Sequence, residues 1–153
     1  MEYAPHFQRD ELTRTFTGLP NNPNPAAEAQ LKALSRILEG IRSIVGKPLY
    51  INSAYRSPEV NDAVGGAKRS YHLFGRACDI SIRNLDDNER SILRRAIMAR
   101  KPSEFIKYDT FYHVAFDISR LGQYGGPVTV LQEEYPDDFP VATEKDSSLK
   151  DDY

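Results

Sequence analysis

Leu31, Leu34, Leu38, Ile41 and Val45 recur at alternating steps of three and four residues, the spacing that lines one face of an α-helix. Asn24 stands where a cap is needed. Pro25 suits the first helical position, where its missing N–H costs nothing. Gly46 ends the stretch and Pro48 prevents its continuation. The pattern predicts one long amphipathic helix over about residues 25–45.

That apolar stripe needs cover, and the rest of the chain offers short strands and a second helix. Leu49, Ile51 and Ser53 alternate with Tyr50 and Asn52, as in a half-buried strand. Ala77, Asp79 and Ser81 alternate with Cys78, Ile80 and Ile82 in a second. Phe105–Ile106 and Tyr112–Ile118 are further strand candidates, joined by a turn at Asp109-Thr110. A short helix is expected over Pro58–Val64, ended by Gly65-Gly66. Asp86 and Glu89 form a capping pattern before a helix over 87–99, whose apolar face is Ile92, Leu93, Ala96 and Ile97. Lys101-Pro102 stops it. Residues 1–24 and 67–75 read as irregular. These elements predict an α+β domain with helices packed on a small, mainly antiparallel sheet.

At 153 residues the chain is expected to form one domain with a sufficient core. Its single cysteine, Cys78, rules out an intramolecular disulfide, and alternation points it away from the face of Asp79. No apolar run approaches the ~20 residues of a membrane span. The N-terminus reads as lacking a signal peptide, so the expectation is a protein made in the cytoplasm. The charge is unevenly spread. Residues 133–153 carry eight acidic residues against Lys145 and Lys150, a net of −6, which leaves +4 on residues 1–132 of a chain at −2. The expected division is a folded unit over 1–132 and an acidic extended or disordered tail over 133–153, preceded by a break at Gly122–Pro127 and an apolar trio, Val128, Val130 and Leu131. The tail is a candidate surface for a protein partner. With no dense Lys/Arg stripe, neither nucleic acid nor membrane is an expected partner.

The residues with chemistry concentrate in Ser70-Tyr71-His72-Leu73-Phe74-Gly75-Arg76-Ala77-Cys78-Asp79. His72 and Asp79 lie seven residues apart across a glycine that permits a sharp turn. His113 sits later in a strand-like run, sharing a face with Phe111 and Ala115. Two imidazoles and a carboxylate suit a catalytic zinc, which takes three protein ligands and keeps a fourth position open. The ordinary alternatives are a turn-capping Asp79 and a buried His113 paired with a carboxylate. His6 lies outside these motifs and reads as a surface residue, whereas Tyr71 and Phe74 flank the candidate site.

Three ordered motifs extend the picture: Ser53-x-Tyr55-Arg56-Ser57-x-x-x-Asn61, then Ser70-x-His72-x-x-Gly75-x-Ala77-x-Asp79, then an aromatic-x-His element, Phe111-x-His113, late in the chain. They resemble the M15 family of zinc D-alanyl-D-alanine carboxypeptidases and L-alanyl-D-glutamate endopeptidases, in particular its carboxypeptidase-type subfamily with many phage-borne members. An Asp10-Glu11-Leu12-Thr13 segment and a long helix before the first motif extend the likeness to about residues 8–120.

The resemblance implies a hedgehog-like α+β fold and a Zn2+ ion held by His72, Asp79 and His113. It implies that Arg56 binds a substrate carbonyl or the developing oxyanion, with Ser53, Tyr55 and Ser70 shaping the substrate site. The implied substrate is a peptidoglycan stem peptide, and the implied setting a phage lysin released by lysis or carried in a virion. The alternative is an inactive or weakly active family member serving as a structural or binding part of a virion. The chain departs from the pattern at one point. Many members carry an acid three residues before the last histidine, where this sequence has Thr110. Asp109, one position earlier, is the candidate general base, and the turn at Asp109-Thr110 must fold it back to reach the metal. Glu104 and Asp117 are weaker substitutes.

Overall fold

The stripe read from the sequence is the seam of the core. The computed structural model describes residues 1–117 and the two-residue strand Glu144–Lys145. Helices α1 (Arg9–Thr13) and α2 (Pro25–Val45) come first. The Asn24 side chain accepts from the Ala27 N–H at 2.8 Å, and the Gly46 N–H donates to the Arg42 carbonyl to close α2. Leu31, Leu34, Leu38 and Ile41 are fully buried, and Val45 packs at the rim. Burying each such side chain contributes roughly 1.5–3 kcal/mol, against about 1 kcal/mol for a cap. Packing therefore holds α2 in place, and the caps set its ends.

Then follow β1 (Ile51–Ser53), α3 (Pro58–Ala63), a 3-10 turn (Tyr71–Phe74), β2 (Ala77–Ser81), α4 (Asp87–Met98), β3 (Glu104–Tyr108), β4 (Phe111–Ala115) and β5 (Glu144–Lys145). The domain is α+β, with four helices among the described residues and an open antiparallel sheet of order β1-β2-β4-β3; β5 joins β3 in parallel. Register places Ser53 opposite Asp79, Asp79 opposite His113, and His113 opposite Ile106. Side chains alternate between the two faces of a strand. One face sends Cys78, Ile80, Phe105, Tyr112 and Val114 into the cluster that holds the α2 stripe together with Leu93 and Ile97 of α4. The opposite face carries Asp79 and His113. Among the described residues, no helix is long and apolar enough to cross a membrane.

Several local expectations change. The first 24 residues are not merely irregular: α1 forms there, and Phe7 and Leu12 are fully buried in the core. A five-residue helix with one buried position is too short to show periodicity. The loop over 67–75 contains the 3-10 turn, capped by Ser70, whose Oγ accepts from the His72 N–H. Gly75 ends this turn at φ 73°, and a Cβ there would meet the Ala27 carbonyl oxygen at 2.6 Å. Only glycine lets the turn lie so close to α2. Strand β3 is longer than Phe105–Ile106 because pairing with β4 recruits its flanks. Strand β4 spans Phe111–Ala115, so it starts one residue earlier than expected and ends at Ala115, leaving Phe116 and Asp117 outside it. Ile118, the break at Gly122–Pro127, the trio Val128, Val130 and Leu131, and the acidic tail apart from Glu144–Lys145 lie outside the described residues.

Candidate metal centre

Two hydrogen bonds stitch the turn bearing His72 to the chain leaving β1. The His72 Nδ1–H donates to the Ala54 carbonyl at 2.6 Å, and the Arg56 N–H donates to the His72 carbonyl at 3.1 Å. A carbonyl only accepts, so the ring proton sits on Nδ1 and Nε2 keeps its lone pair. Nε2 lies 3.3 Å from Asp79 Oδ1. From β4, His113 Nδ1 lies 2.9 Å from the same oxygen. The other Asp79 oxygen, Oδ2, accepts from Arg56 Nη2 at 3.2 Å.

His72, Asp79 and His113 are all buried, and one donor atom from each lies within 4.8 Å of the other two. Tetrahedral zinc with bonds of ~2.0–2.1 Å separates its donors by ~3.3 Å, close to the observed 3.3 and 2.9 Å. The Ala54 carbonyl behind His72 is the kind of outer partner that fixes a ligating ring. The donor set therefore fits zinc.

The protonation states agree with this use. Burial lowers the His72 pKa to about 4, with nearby Arg56 adding to the effect and Asp79 opposing it. His72 is therefore neutral at pH 7. Burial alone would raise Asp79, but the neighbouring His72 and the hydrogen bond from His113 outweigh it and hold the carboxyl well below the usual range. Burial would likewise lower His113, yet hydrogen bonds to Asp79 and Glu104 push it up to about 9. In the metal-free site His113 thus keeps a proton that a bound cation displaces.

The other expected residues land in different places. Arg56 is only 1% exposed, and its guanidinium points inward. Nε donates to Ser53 Oγ at 3.1 Å, Nη1 to Asn61 Oδ1 at 3.4 Å and Nη2 to Asp79. It therefore braces Asp79 and spans the first motif from Ser53 to Asn61. Tyr55 is buried in the core rather than open to a cleft, and its backbone pairs with Leu12 and Asn21. Ser70 steadies the His72 turn.

Asp109 is exposed at the tip of the β3–β4 hairpin and stands outside the metal cluster. The two-residue turn holds it beyond the stacked Tyr108 and Phe111 rings, whose centroids are 4.4 Å apart. Asp117 also stands outside the cluster. Glu104 instead reaches His113, with Oε1 2.5 Å from Nε2. His6 is at the surface, paired with Glu39 at 2.6 Å, and Cys78 is a core residue. Phe74 is exposed beneath the Arg76 guanidinium.

Sequence reasoning gave no role to Asn21 or Asn61. The Asn21 side chain donates to the Thr13 and Tyr55 carbonyls and accepts from the Ser57 N–H. Asn61 receives Arg56 and donates to the Ala67 carbonyl. Asn61 closes the first motif, which was the available signal; Asn21 carried none.

An antiparallel sheet carrying a buried His-Asp-His triangle beside a long helix defines a candidate zinc hydrolase centre. Residues 5–115, more than half of the chain, match the family described as Peptidase M15, and the chain belongs to that family. It is also 35% identical over 78 residues to a zinc D-Ala-D-Ala carboxypeptidase from Streptomyces albus G. That match covers 49% of this chain and 31% of the relative's length.

Proposed function

We propose that the chain is a zinc-dependent peptidase that hydrolyses amide bonds in peptidoglycan stem peptides, beside a D-amino acid or at the L-Ala–D-Glu bond. The observation that carries this reading is the buried His72–Asp79–His113 triangle in a chain of a peptidase family. The likeness to a zinc D-Ala-D-Ala carboxypeptidase supports the substrate class.

Zinc held there supplies a Lewis acid that polarises a scissile carbonyl and lowers the pKa of water toward 7. The chain's own groups prepare that site. His72 presents Nε2 because Ala54 holds its Nδ1 proton. Asp79 contributes a permanent negative charge, and Arg56 fixes the rotation of its carboxylate. The buried Arg56 also places positive charge close to the reacting region, although its visible contacts make it first a brace.

The proton acceptor distinguishes this reading from a second one, an inactive domain used for binding. Thr110 replaces the usual acid and Asp109 is exposed, which favours the second reading. Digestion of purified cell walls, with mass spectrometry of the released peptides, decides between them and identifies the bond. Zinc-dependent release of stem-peptide fragments is expected, with Asp109→Asn slowing it less than tenfold. A positioned base contributes ~10²–10⁴-fold, so a larger loss would make Asp109 the base. No release by the zinc-loaded protein would overturn the peptidase reading.

A further inference from the structure

Only one of the two ring nitrogens of His113 can face the metal. Nδ1 lies 2.9 Å from Asp79 Oδ1, and Nε2 lies 2.5 Å from Glu104 Oε1. Glu104 is not among the groups whose donor atoms converge within 4.8 Å. It therefore stands on the outer side of the imidazole, with the ring between it and Asp79.

We propose that Glu104 is a positioning residue that fixes His113 as an Nδ1 ligand by accepting its Nε2 proton. The inference rests on the metal-site reading above. The backbone explains the contact. Ile106 is opposite His113 and Glu104 is opposite Ala115, so Glu104 is the diagonal same-face neighbour of His113. Long side chains reach such diagonal neighbours. The single methyl of Ala115 leaves Glu104 room to lean toward the ring.

The chemistry gives the contact two effects. A carboxylate has no donor when ionised, so Nε2 must carry the proton and Nδ1 the lone pair. The negative charge also makes the ring a stronger donor, the usual role of a carboxylate behind a zinc-bound histidine. The two histidines are thus held by different means, His72 through a backbone carbonyl and His113 through a side chain. Only the second can be removed by substitution.

The test is a zinc titration against a chromophoric chelator for the wild-type chain, Glu104→Gln and Glu104→Ala. It is paired with ¹⁵N spectra of the His113 ring in the zinc-loaded proteins. The expected result is one zinc per wild-type chain, about 10–100-fold weaker binding by Glu104→Ala, and partial recovery in Glu104→Gln, whose amide oxygen accepts the same proton. The wild-type spectrum should show zinc on Nδ1 and hydrogen on Nε2. Zinc on Nε2, or equal affinity in wild type and Glu104→Ala, would overturn the proposal while leaving the metal site standing. A wild-type chain that takes up no zinc would overturn the metal reading itself.

Discussion

Asp79 and His113 face each other directly across β2 and β4, with Oδ1 and Nδ1 2.9 Å apart. Helix α4 and strand β3 separate them along the chain, so sheet register brings them together. A slip of one residue would send either side chain to the opposite face. The third member of the triangle, His72, joins only when its turn docks on the chain after β1. The complete triangle is thus a property of the folded state.

Zinc should therefore act as a stability ligand. A group that binds only the native state adds about 2.7 kcal/mol at a hundredfold excess over its Kd. The melting temperature of chelator-treated protein should rise when zinc is restored, and His72→Ala should abolish the rise. A wild-type melting temperature indifferent to zinc would argue against the site.

Arg56 offers a sharper test because its partners are known. The Arg56–Asp79 pair is almost fully buried. Removing one member of such a pair costs up to about 3–5 kcal/mol, an upper bound here because Asp79 keeps His113 as a partner. Arg56→Ala should lower stability by that order and weaken zinc binding as well, because Asp79 Oδ2 loses its anchor. Denaturant melts and chelator competition measure the two effects. An intact zinc affinity combined with a slow reaction would instead place Arg56 on the substrate.

The legible parts of this fold were those with local chemistry. The α2 stripe, the Asn24 and Asp86 caps, and the alternation that separates Cys78 from Asp79 are all written in neighbouring residues. His72, Asp79 and His113 were readable as a set through ordered motifs, and the structure gathers them. What escaped depends on distant partners. The inward aim of Arg56 follows from Ser53, Asn61 and Asp79 closing around it. Glu104 reaches His113 only because the β3–β4 register makes them diagonal neighbours. Asp109 looked close to His113 in sequence, yet the tight hairpin turn leaves it at the exposed tip.

Gly66 tests the bracket behind Arg56. A Cβ at this position would lie 2.1 Å from Asn61 Oδ1 and 3.0 Å from Arg56 Nη1. Asn61 cannot simply swing aside, because its amide also donates to the Ala67 carbonyl. Gly66→Ala should destabilise the protein by roughly 1–3 kcal/mol, the range for overpacking. It should also weaken zinc binding through Arg56 and Asp79. A thermal melt and a zinc titration no different from wild type would mean that the bracket is not needed.

The two histidines should give the metal-free protein opposite pH limits. His113 has its pKa raised from 6.5 to about 9, so its contribution is complete below pH 6.5 and is lost as the pH rises through 9. His72 is lowered from 6.5 to about 4, so its neutral burial is favourable above pH 6.5 and becomes costly as the pH falls toward 4. Asp79 is depressed, so its contribution is lost only at more acid pH, below the ordinary carboxylate range. Metal-free stability should therefore peak near pH 6.5 and decline on both sides. Zinc removes the alkaline decline, because a metal-bound His113 has already given up the proton in question. Zinc uptake near pH 7 should then release about one proton, falling to about half a proton at pH 9, and affinity should climb about tenfold per pH unit until His113 is neutral. Melting curves from pH 4.5 to 9.5 with and without zinc, together with titrations in two buffers of different ionisation enthalpy, measure both effects. Proton release near zero at pH 7, or metal-free stability that increases from pH 6.5 to 9, would show that His113 is already neutral in the folded chain.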